Sequence, residues 1–189
     1  MVPDEQPPAD IKESVQRVAG ALPEAEVPFL LGGGLAAWAY GGPGTGHDLD
    51  VMVRPAHADR ALQALADAGM RTEKPPEGWL YKAWDGTVLV DIIFRAVGQD
   101  VDDGLFERAE DLEVNAVPMK VMSLEDIMVT KLLALDEHEL DYERSLEFAR
   151  SLRERIDWLT VRGRTRDSPY AKAFFTMVEE LGVVPRRHL

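Results

Sequence analysis

The chain has 189 residues, 46% hydrophobic and 29% charged, which fits one globular domain or a domain with a small helical extension. Its net charge of −13 argues against general affinity for nucleic acids, because that affinity depends on neutralising phosphates. The sequence has no cysteine, no apolar run near the roughly 20 residues of a membrane span, and an acidic, proline-rich N-terminus unlike a signal peptide. We therefore expect a cytoplasmic protein that makes no membrane contact.

The first half of the chain predicts alternating helices and strands after a flexible lead-in at residues 1–9. The Asp85-Gly86 dipeptide is a strong signal for a β-hairpin and joins the last two of these strands. In chain order the elements are a helix from Ile11 to about Ala21, a strand at Phe29–Leu31, a helix at Gly34–Tyr40, a strand at Leu49–Val53, a helix from Pro55 to about Ala68, and strands at Trp79–Trp84 and Thr87–Phe94.

The second half predicts edge strands and then helices only. Its elements are a helical turn at Leu105–Ala109, strands at Val114–Val117 and Lys120–Met122 around Pro118, and helices at about residues 123–135, 141–155, 157–164 and 169–181. The predicted fold class is α/β (α+β), with a mixed β-sheet flanked by helices. We expect this core to occupy residues 1–122 and a helical C-terminal region, residues 123–189, to pack on it.

Two carboxylates, Asp48 and Asp50, open the strand-like segment LDVMV with one apolar residue between them. Side chains two residues apart lie on the same face of a strand, so the two acids lie close together. Like charges at that distance repel each other, and a cation between them relieves the repulsion. The pattern predicts a site for a divalent metal, with Mg²⁺ or Mn²⁺ as the cofactor.

A glycine turn and a third acid complete the predicted site. Gly33 and Gly34 follow a buried strand, where exposed backbone N–H groups can hold a phosphate. On a later strand, Asp91 shares a mostly apolar face with Leu89 and Ile93, which is unfavourable for a carboxylate without a partner. Three carboxylates on adjacent strands are what phosphoryl or nucleotidyl transfer with divalent metals requires, with two binding metal and the third acting as base on the attacking hydroxyl.

A competing motif is rejected. Gly32-x-Gly34-x-x-Ala37 after a strand matches the dinucleotide-binding fingerprint, but the helix that follows is too short for the crossover of that fold. The sequence also has no Gly-Lys-Ser/Thr, so a P-loop is excluded. Trp79 and Trp84 lie on the predicted hairpin, and we favour core packing over a base-stacking role for them.

The combination of Gly33-Gly34, thirteen intervening residues, Asp48-Leu49-Asp50-Val51 and Asp91 in VDIIF resembles the nucleotidyltransferase superfamily of the polymerase-β type. The segments GGLAAWAYG and VTKLLAL are similar to a bacterial branch that includes toxins of toxin–antitoxin pairs and abortive-infection proteins. The resemblance covers roughly residues 29–140.

The resemblance implies roles for individual residues. Asp48 and Asp50 would bind metal, and Asp91 would be the catalytic base or a third ligand. Lys131, on the inward face of a helix after the sheet, would contact nucleotide phosphates together with Gly33 and Gly34. Relatives have Ser or Thr next to the Asp-x-Asp motif; here His47 precedes it and the nearest hydroxyl is that of Thr45, which we include among the nucleotide-binding residues. Relatives in the toxin branch also use an acidic residue further along the chain, and Asp141 is its candidate counterpart. The alternative role of Asp141 is that of a helix N-cap.

The expected reaction moves a nucleoside monophosphate from an NTP to a hydroxyl. The acceptor stays open between a tRNA 3′ end, a protein and a small molecule, and an antitoxin protein is an expected partner if the chain is a toxin. An RNA acceptor would need the late arginines, including Arg162 and Arg164, to form a basic face near the cleft rather than lie on outer helix faces. The alternatives are a catalytically silent nucleotide- or partner-binding module of the same fold, and metal-dependent phosphate-ester hydrolysis.

Overall fold

The structure, a computed structural model, describes residues 9–43 and 48–186. Thr45 and His47 therefore lie outside the described residues. A mixed sheet of seven strands is flanked by helices, which confirms the predicted fold class.

The chain forms its elements close to the predicted order. The first half contains α1 (Ala9–Glu24), β1 (Phe29–Leu31), α2 (Gly33–Ala39), β2 (Asp48–Val53), a 3-10 turn (Pro55–His57), α3 (Ala58–Asp67), β3 (Arg71–Glu73), β4 (Leu80–Asp85) and β5 (Val88–Ile93). The second half contains β6 (Arg95–Ala96), β7 (Gln99–Asp100), α4 (Asp103–Glu107), β8 (Glu110–Val114), β9 (Val117–Val121), α5 (Leu124–Leu133), α6 (Tyr142–Leu152), α7 (Trp158–Arg164) and α8 (Pro169–Glu180).

The strands of the large sheet lie in the order β3-β4-β5-β2-β1-β9-β8. The β2–β5 and β1–β9 pairs are parallel and the other neighbours are antiparallel, while β6 and β7 form a separate two-stranded ribbon. One face of the central strands is completely buried under α1 and α3. Its side chains are Leu49, Val51, Val53, Val88, Val90 and Ile92. The opposite face, which we call the front face, carries α2 and α5 beside β2 and holds the polar residues discussed below.

Two turns differ from the prediction. Asp85 pairs with Val88, so the hairpin turn is Gly86-Thr87 and not Asp85-Gly86. The predicted strand at 114–117 is wrong, because Val114 pairs with Val117 across a tight turn whose two central residues both have positive φ. Strand β3, with three polar residues, has no hydrophobic alternation and was not predicted.

A buried carboxylate joins the C-terminal helices to the rest of the fold. Asp126 of α5 is 1% exposed and accepts hydrogen bonds from Arg108 (2.9 and 3.0 Å), from Arg164 of α7 (2.6 Å) and from the Ser123 hydroxyl (2.7 Å). Burial alone would raise the pKa of Asp126, but these hydrogen bonds hold it below its usual value. The buried residues of α5 to α8 form one continuous core with those of the sheet, and a domain division at residue 122 stays a prediction.

Arg162 and Arg164 form ion pairs within the protein. Arg164 is held by Asp126, and Arg162 pairs with Glu179 and lies 4.0 Å over the ring of Phe175. These contacts oppose the alternative in which Arg162 and Arg164 form a basic face for RNA. Among the helices that the structure describes, none has the length and hydropathy that crossing a membrane requires.

We predict that Asp126→Ala destabilises the protein by about 2 kcal/mol, because it removes a buried carboxylate that forms ion pairs with two arginines. The melting temperature should fall by roughly 4–8 °C in differential scanning calorimetry. The matched control is Asp111→Ala, which removes an 82% exposed carboxylate paired with Lys120 and should change stability by less than about 0.5 kcal/mol. Equal melting temperatures for the two variants would contradict a structural role for the Asp126 cluster.

Candidate active site

The glycine turn after β1 holds Asp50 in place. The Gly32 N–H donates to the Asp50 carbonyl at 2.9 Å, and the Gly34 N–H donates to the Asp50 carboxylate. Gly33 has a φ of +59°, and a Cβ placed there would lie 1.7 Å from Asp50 Oδ2. A side chain at position 33 is therefore incompatible with the observed position of the Asp50 carboxylate.

The sheet register brings the three predicted acids together. Asp50 of β2 is the direct partner of Asp91 of β5, and Asp48 precedes Asp50 by two residues on the same front face. Burial, with added repulsion from Asp91 and Asp48, raises the pKa of Asp50 to about 6. Burial and the charge of Asp48 also raise the pKa of Asp91. The acids lie close enough to repel each other, while their roles in metal binding and catalysis stay predictions.

Lys131 faces the same site from α5. It lines a cavity of about 520 Å³ together with Gly33 and Asp50. Burial lowers the pKa of Lys131, and the opposing attraction of Asp50 shows that the two charges are close. Asp141 is the N-cap of α6, accepting from the Arg144 N–H at 3.3 Å, and its charge also reaches Lys131.

Lys82 belongs to the site and was missed by the sequence analysis. It lies on β4 directly opposite Asp91, with its Nζ 3.7 Å from Asp91 Oδ1. Three neighbouring strands thus present Lys82, Asp91 and Asp50 side by side. The predicted turn at Asp85-Gly86 would place Lys82 opposite Leu89. The observed turn lies one residue later in the chain, and this places Lys82 opposite Asp91, two residues further along β5.

The cavity beside the acids is mostly apolar. Trp79, at 41% exposed, lies on its wall, so the prediction that this residue packs in the core is wrong. Glu77 and Arg95 are its charged residues besides Asp50 and Lys131, and Arg95 is paired with Asp100 at 2.8 Å. The other lining residues include Met52, Ile93, Val97, Met122, Ile127 and Thr130.

The carboxylates fit a divalent cation completed by other ligands. Within residues 9–43 and 48–186, no three His, Cys, Asp or Glu side chains form a ready-made metal cluster. Mg²⁺ nevertheless retains several waters in proteins and needs only one or two carboxylates beside substrate phosphates. Asp91 Oδ1 is buried without a hydrogen-bond partner, and the raised pKa of Asp50 reflects burial and repulsion that a cation would relieve.

Over residues 10–179 the sequence matches the model of a protein family described as "Uncharacterised nucleotidyltransferase". A comparison with curated protein sequences finds no match.

The fold is similar to several solved structures. ANT(2'')-Ia in complex with adenylyl-2''-tobramycin is 16% identical, with a TM-score of 0.60 and coverage of 84% of this chain and 99% of that one. The lincosamide antibiotic adenylyltransferase LnuA, lincomycin-bound, is 14% identical, with a TM-score of 0.51 and coverage of 72% and 94%. JHP933 from Helicobacter pylori is 17% identical, with a TM-score of 0.58 and coverage of 95% and 81%. At these identities the likeness shows a shared fold.

We predict that Gly33→Ala displaces the Asp50 carboxylate without unfolding the protein. The control is Gly41→Ala, because Gly41 also has a positive φ (+86°) but no atom lies within 4 Å of the added Cβ. Both variants should lose about 1–2 kcal/mol of stability from backbone strain. Only Gly33→Ala should also lose the rise in melting temperature produced by Mg²⁺ with ATP. Retention of that rise would show that the contact between Gly33 and Asp50 does not shape the site.

We predict that Asp50→Asn stabilises the metal-free protein at pH 8. The folded-state pKa of Asp50, about 6, exceeds its ordinary value of 3.8, so the folded state binds more protons and stability falls as pH rises between these values. Removing the charge should raise the free energy of unfolding by roughly 3 kcal/mol at pH 8 and by only about 0.5 kcal/mol at pH 4. Thermal melts in EDTA at both pH values measure this, with exposed Asp111→Asn as the control. A loss of stability at pH 8 would contradict the prediction.

Proposed function

The chain belongs to the nucleotidyltransferase family that it matches over residues 10–179, and from this premise we propose that it transfers a nucleoside monophosphate from an NTP to a hydroxyl group of a small molecule. The observation that carries the proposal is the parallel register that sets Asp50 beside Asp91, with Asp48 on the same face. Lys131 across the cavity adds the positive charge that a triphosphate requires.

The proposed residues have distinct tasks. The acceptor oxygen attacks the α-phosphorus, the bond from that phosphorus to the bridging oxygen breaks, and pyrophosphate leaves. Asp91 takes the proton of the attacking hydroxyl. Lys131 and the backbone near Gly33 and Gly34 bind the phosphates of the leaving group.

Asp48 and Asp50 would hold Mg²⁺ or Mn²⁺, with Asp91 as a further ligand or as the base. A divalent ion bound there supplies positive charge that stabilises the phosphate oxygens during transfer. The role of Thr45 in nucleotide binding belongs to the proposal as well, since residue 45 lies outside the described residues.

Two observations support a small-molecule acceptor. Arg162 and Arg164, on which an RNA acceptor would depend, are bound to Glu179 and Asp126. Two structures with the same fold contain adenylyl-2''-tobramycin and lincomycin. No contact among the described residues favours a protein acceptor, an antitoxin partner or a toxin role.

We predict that Asp48→Ala and Asp91→Ala each lower nucleotidyl transfer by more than about 100-fold. The assay incubates the full chain with α-labelled NTPs, Mg²⁺ and a panel of hydroxyl compounds, and detects label on the acceptor. Asp111→Ala, an exposed carboxylate far from the predicted site in the sheet order, is the control and should retain full activity.

Full transfer by Asp48→Ala would rule out this mechanism. Thermal stabilisation by NTP without label transfer would favour the catalytically silent alternative, and free nucleoside monophosphate without a labelled acceptor would favour hydrolysis.

A further inference from the structure

The cavity of about 520 Å³ extends away from the acids along the strands of the front face. Met52 and Ile93 are cross-strand partners, and each follows an acid of its own strand, Asp50 or Asp91, by two residues. Both side chains line the cavity, about 7 Å beyond the acids along the strands. The cavity therefore begins at the proposed site of transfer and continues past it.

The lining of this cavity indicates which of the two substrates enters it. Gly33 and Lys131, the proposed contacts of the triphosphate, line it together with Asp50. Of the described acids, neither Asp91, the proposed base beside the acceptor hydroxyl, nor Asp48 lines it. The group that is covalently joined to phosphates at Gly33 and Lys131 is the nucleoside of the NTP. Continuity with the phosphate contacts therefore favours the nucleoside over the acceptor as the occupant.

Two exposed apolar side chains lie on the walls of the cavity. Trp79 and Val97 are large hydrophobic residues that stay 41% and 42% exposed, and both line it. The Trp79 carbonyl accepts hydrogen bonds from the N–H groups of Phe94 and Arg95, both at 3.1 Å, which fix the Trp79 backbone just beyond the end of β5. An indole ring on a backbone held in this way offers a surface on which a nucleobase can stack.

Val97 occupies a turn position that is unfavourable for valine. Val97 and Gly98 are the central residues of the turn between β6 and β7, with φ of +50° and +76°. Such turns favour Asn or Gly at the first central position, and a positive φ is an outlier for a β-branched residue. The turn by itself gives no reason for a valine here, whereas an apolar contact with a ligand in the cavity does.

The polar groups in this part of the cavity are already hydrogen-bonded or are exposed to solvent. Arg95 Nε donates to Asp100 at 2.8 Å. The Thr130 hydroxyl donates to the Asp126 carbonyl at 2.8 Å, and Glu77 is exposed. Stacking and apolar contact are therefore the main interactions open to a base. Purines, with two rings, bury more apolar surface in such contacts than pyrimidines do.

We propose that this cavity binds the nucleobase of the NTP, with Trp79 as the stacking surface and Val97 as a second apolar contact, so that purine NTPs are preferred to pyrimidine NTPs. This inference rests on the proposed function and adds the residues that select the nucleotide. The phosphates bind at Gly33 and Lys131 independently of Trp79 and Val97.

The test separates the base from the phosphates by measuring Kd without an acceptor. Isothermal titration calorimetry of the full chain with Mg²⁺ compares the α,β-methylene analogues of ATP, GTP, CTP and UTP with inorganic tripolyphosphate. We expect the purine analogues to bind at least about threefold more tightly than the pyrimidine analogues. Trp79→Ala should weaken purine binding by about tenfold and leave tripolyphosphate binding unchanged, while Trp79→Phe should retain most of the purine affinity.

Val97→Asn is a second variant, with effects of opposite sign on stability and on binding. Asn suits the positive φ at this turn position, so the melting temperature should rise. Loss of the apolar contact should nevertheless weaken purine binding by about threefold.

Leu159→Ala is the matched control, since it removes a 67% exposed apolar side chain of α7 that does not line the cavity, and it should bind every ligand as wild type does. Unchanged purine binding by Trp79→Ala, or equal binding of purine and pyrimidine analogues, overturns this inference alone. A higher KM for the acceptor in Trp79→Ala, with unchanged nucleotide Kd, also overturns it, because the cavity would then hold the acceptor. Absence of binding by all four analogues and by tripolyphosphate overturns the proposed function with it.

Discussion

The contact between the Asp50 carboxylate and the backbone of Gly33 is the constraint on which the site depends. It fixes a charged group in a half-buried position next to two further carboxylates, and the attraction of Lys131 offsets the resulting repulsion only in part. The resulting repulsion reduces the stability of the folded chain by itself. A site of this kind is stabilised when a ligand brings positive charge, so binding free energy and folding free energy are coupled here.

The rest of the fold holds the Asp50 carboxylate beside its charged neighbours. Strand β5 sets Asp91 beside Asp50, and β4 sets Lys82 beside Asp91. On the other side, α5 presents Lys131, and the position of α5 is itself fixed by the ion pairs of Asp126 with Arg108 and Arg164. Arg108, which follows α4, and Arg164 of α7 thus act on the site through the packing of α5, although they do not line the main cavity.

The sequence predicted those parts of the site that depend on local periodicity. Asp48 and Asp50 share a face because strands repeat every two residues, and Lys131 was identified from the helical spacing of its apolar neighbours. Asp91 was recognised as a polar residue on an apolar strand face.

Lys82 was not identified, since its role depends on which residue of β5 lies opposite it, and that partner changes with the placement of a two-residue turn. Asp126 is bound by Arg164, which lies 38 positions further along the chain, and no local sequence pattern indicates such a contact.

The turn at Gly86-Thr87 has a consequence for how this family can vary. Side chains alternate between the faces of a strand, so a slip of one residue between β4 and β5 would exchange Lys82 for a neighbour from the apolar core and turn the ammonium group into it. A change of one residue in the length of this hairpin therefore needs a β-bulge to keep Lys82 on the front face, whereas a shift of two residues would preserve the faces and present a different side chain to Asp91. The side chain beside Asp91 thus follows from the length of one loop, with the three acids unchanged.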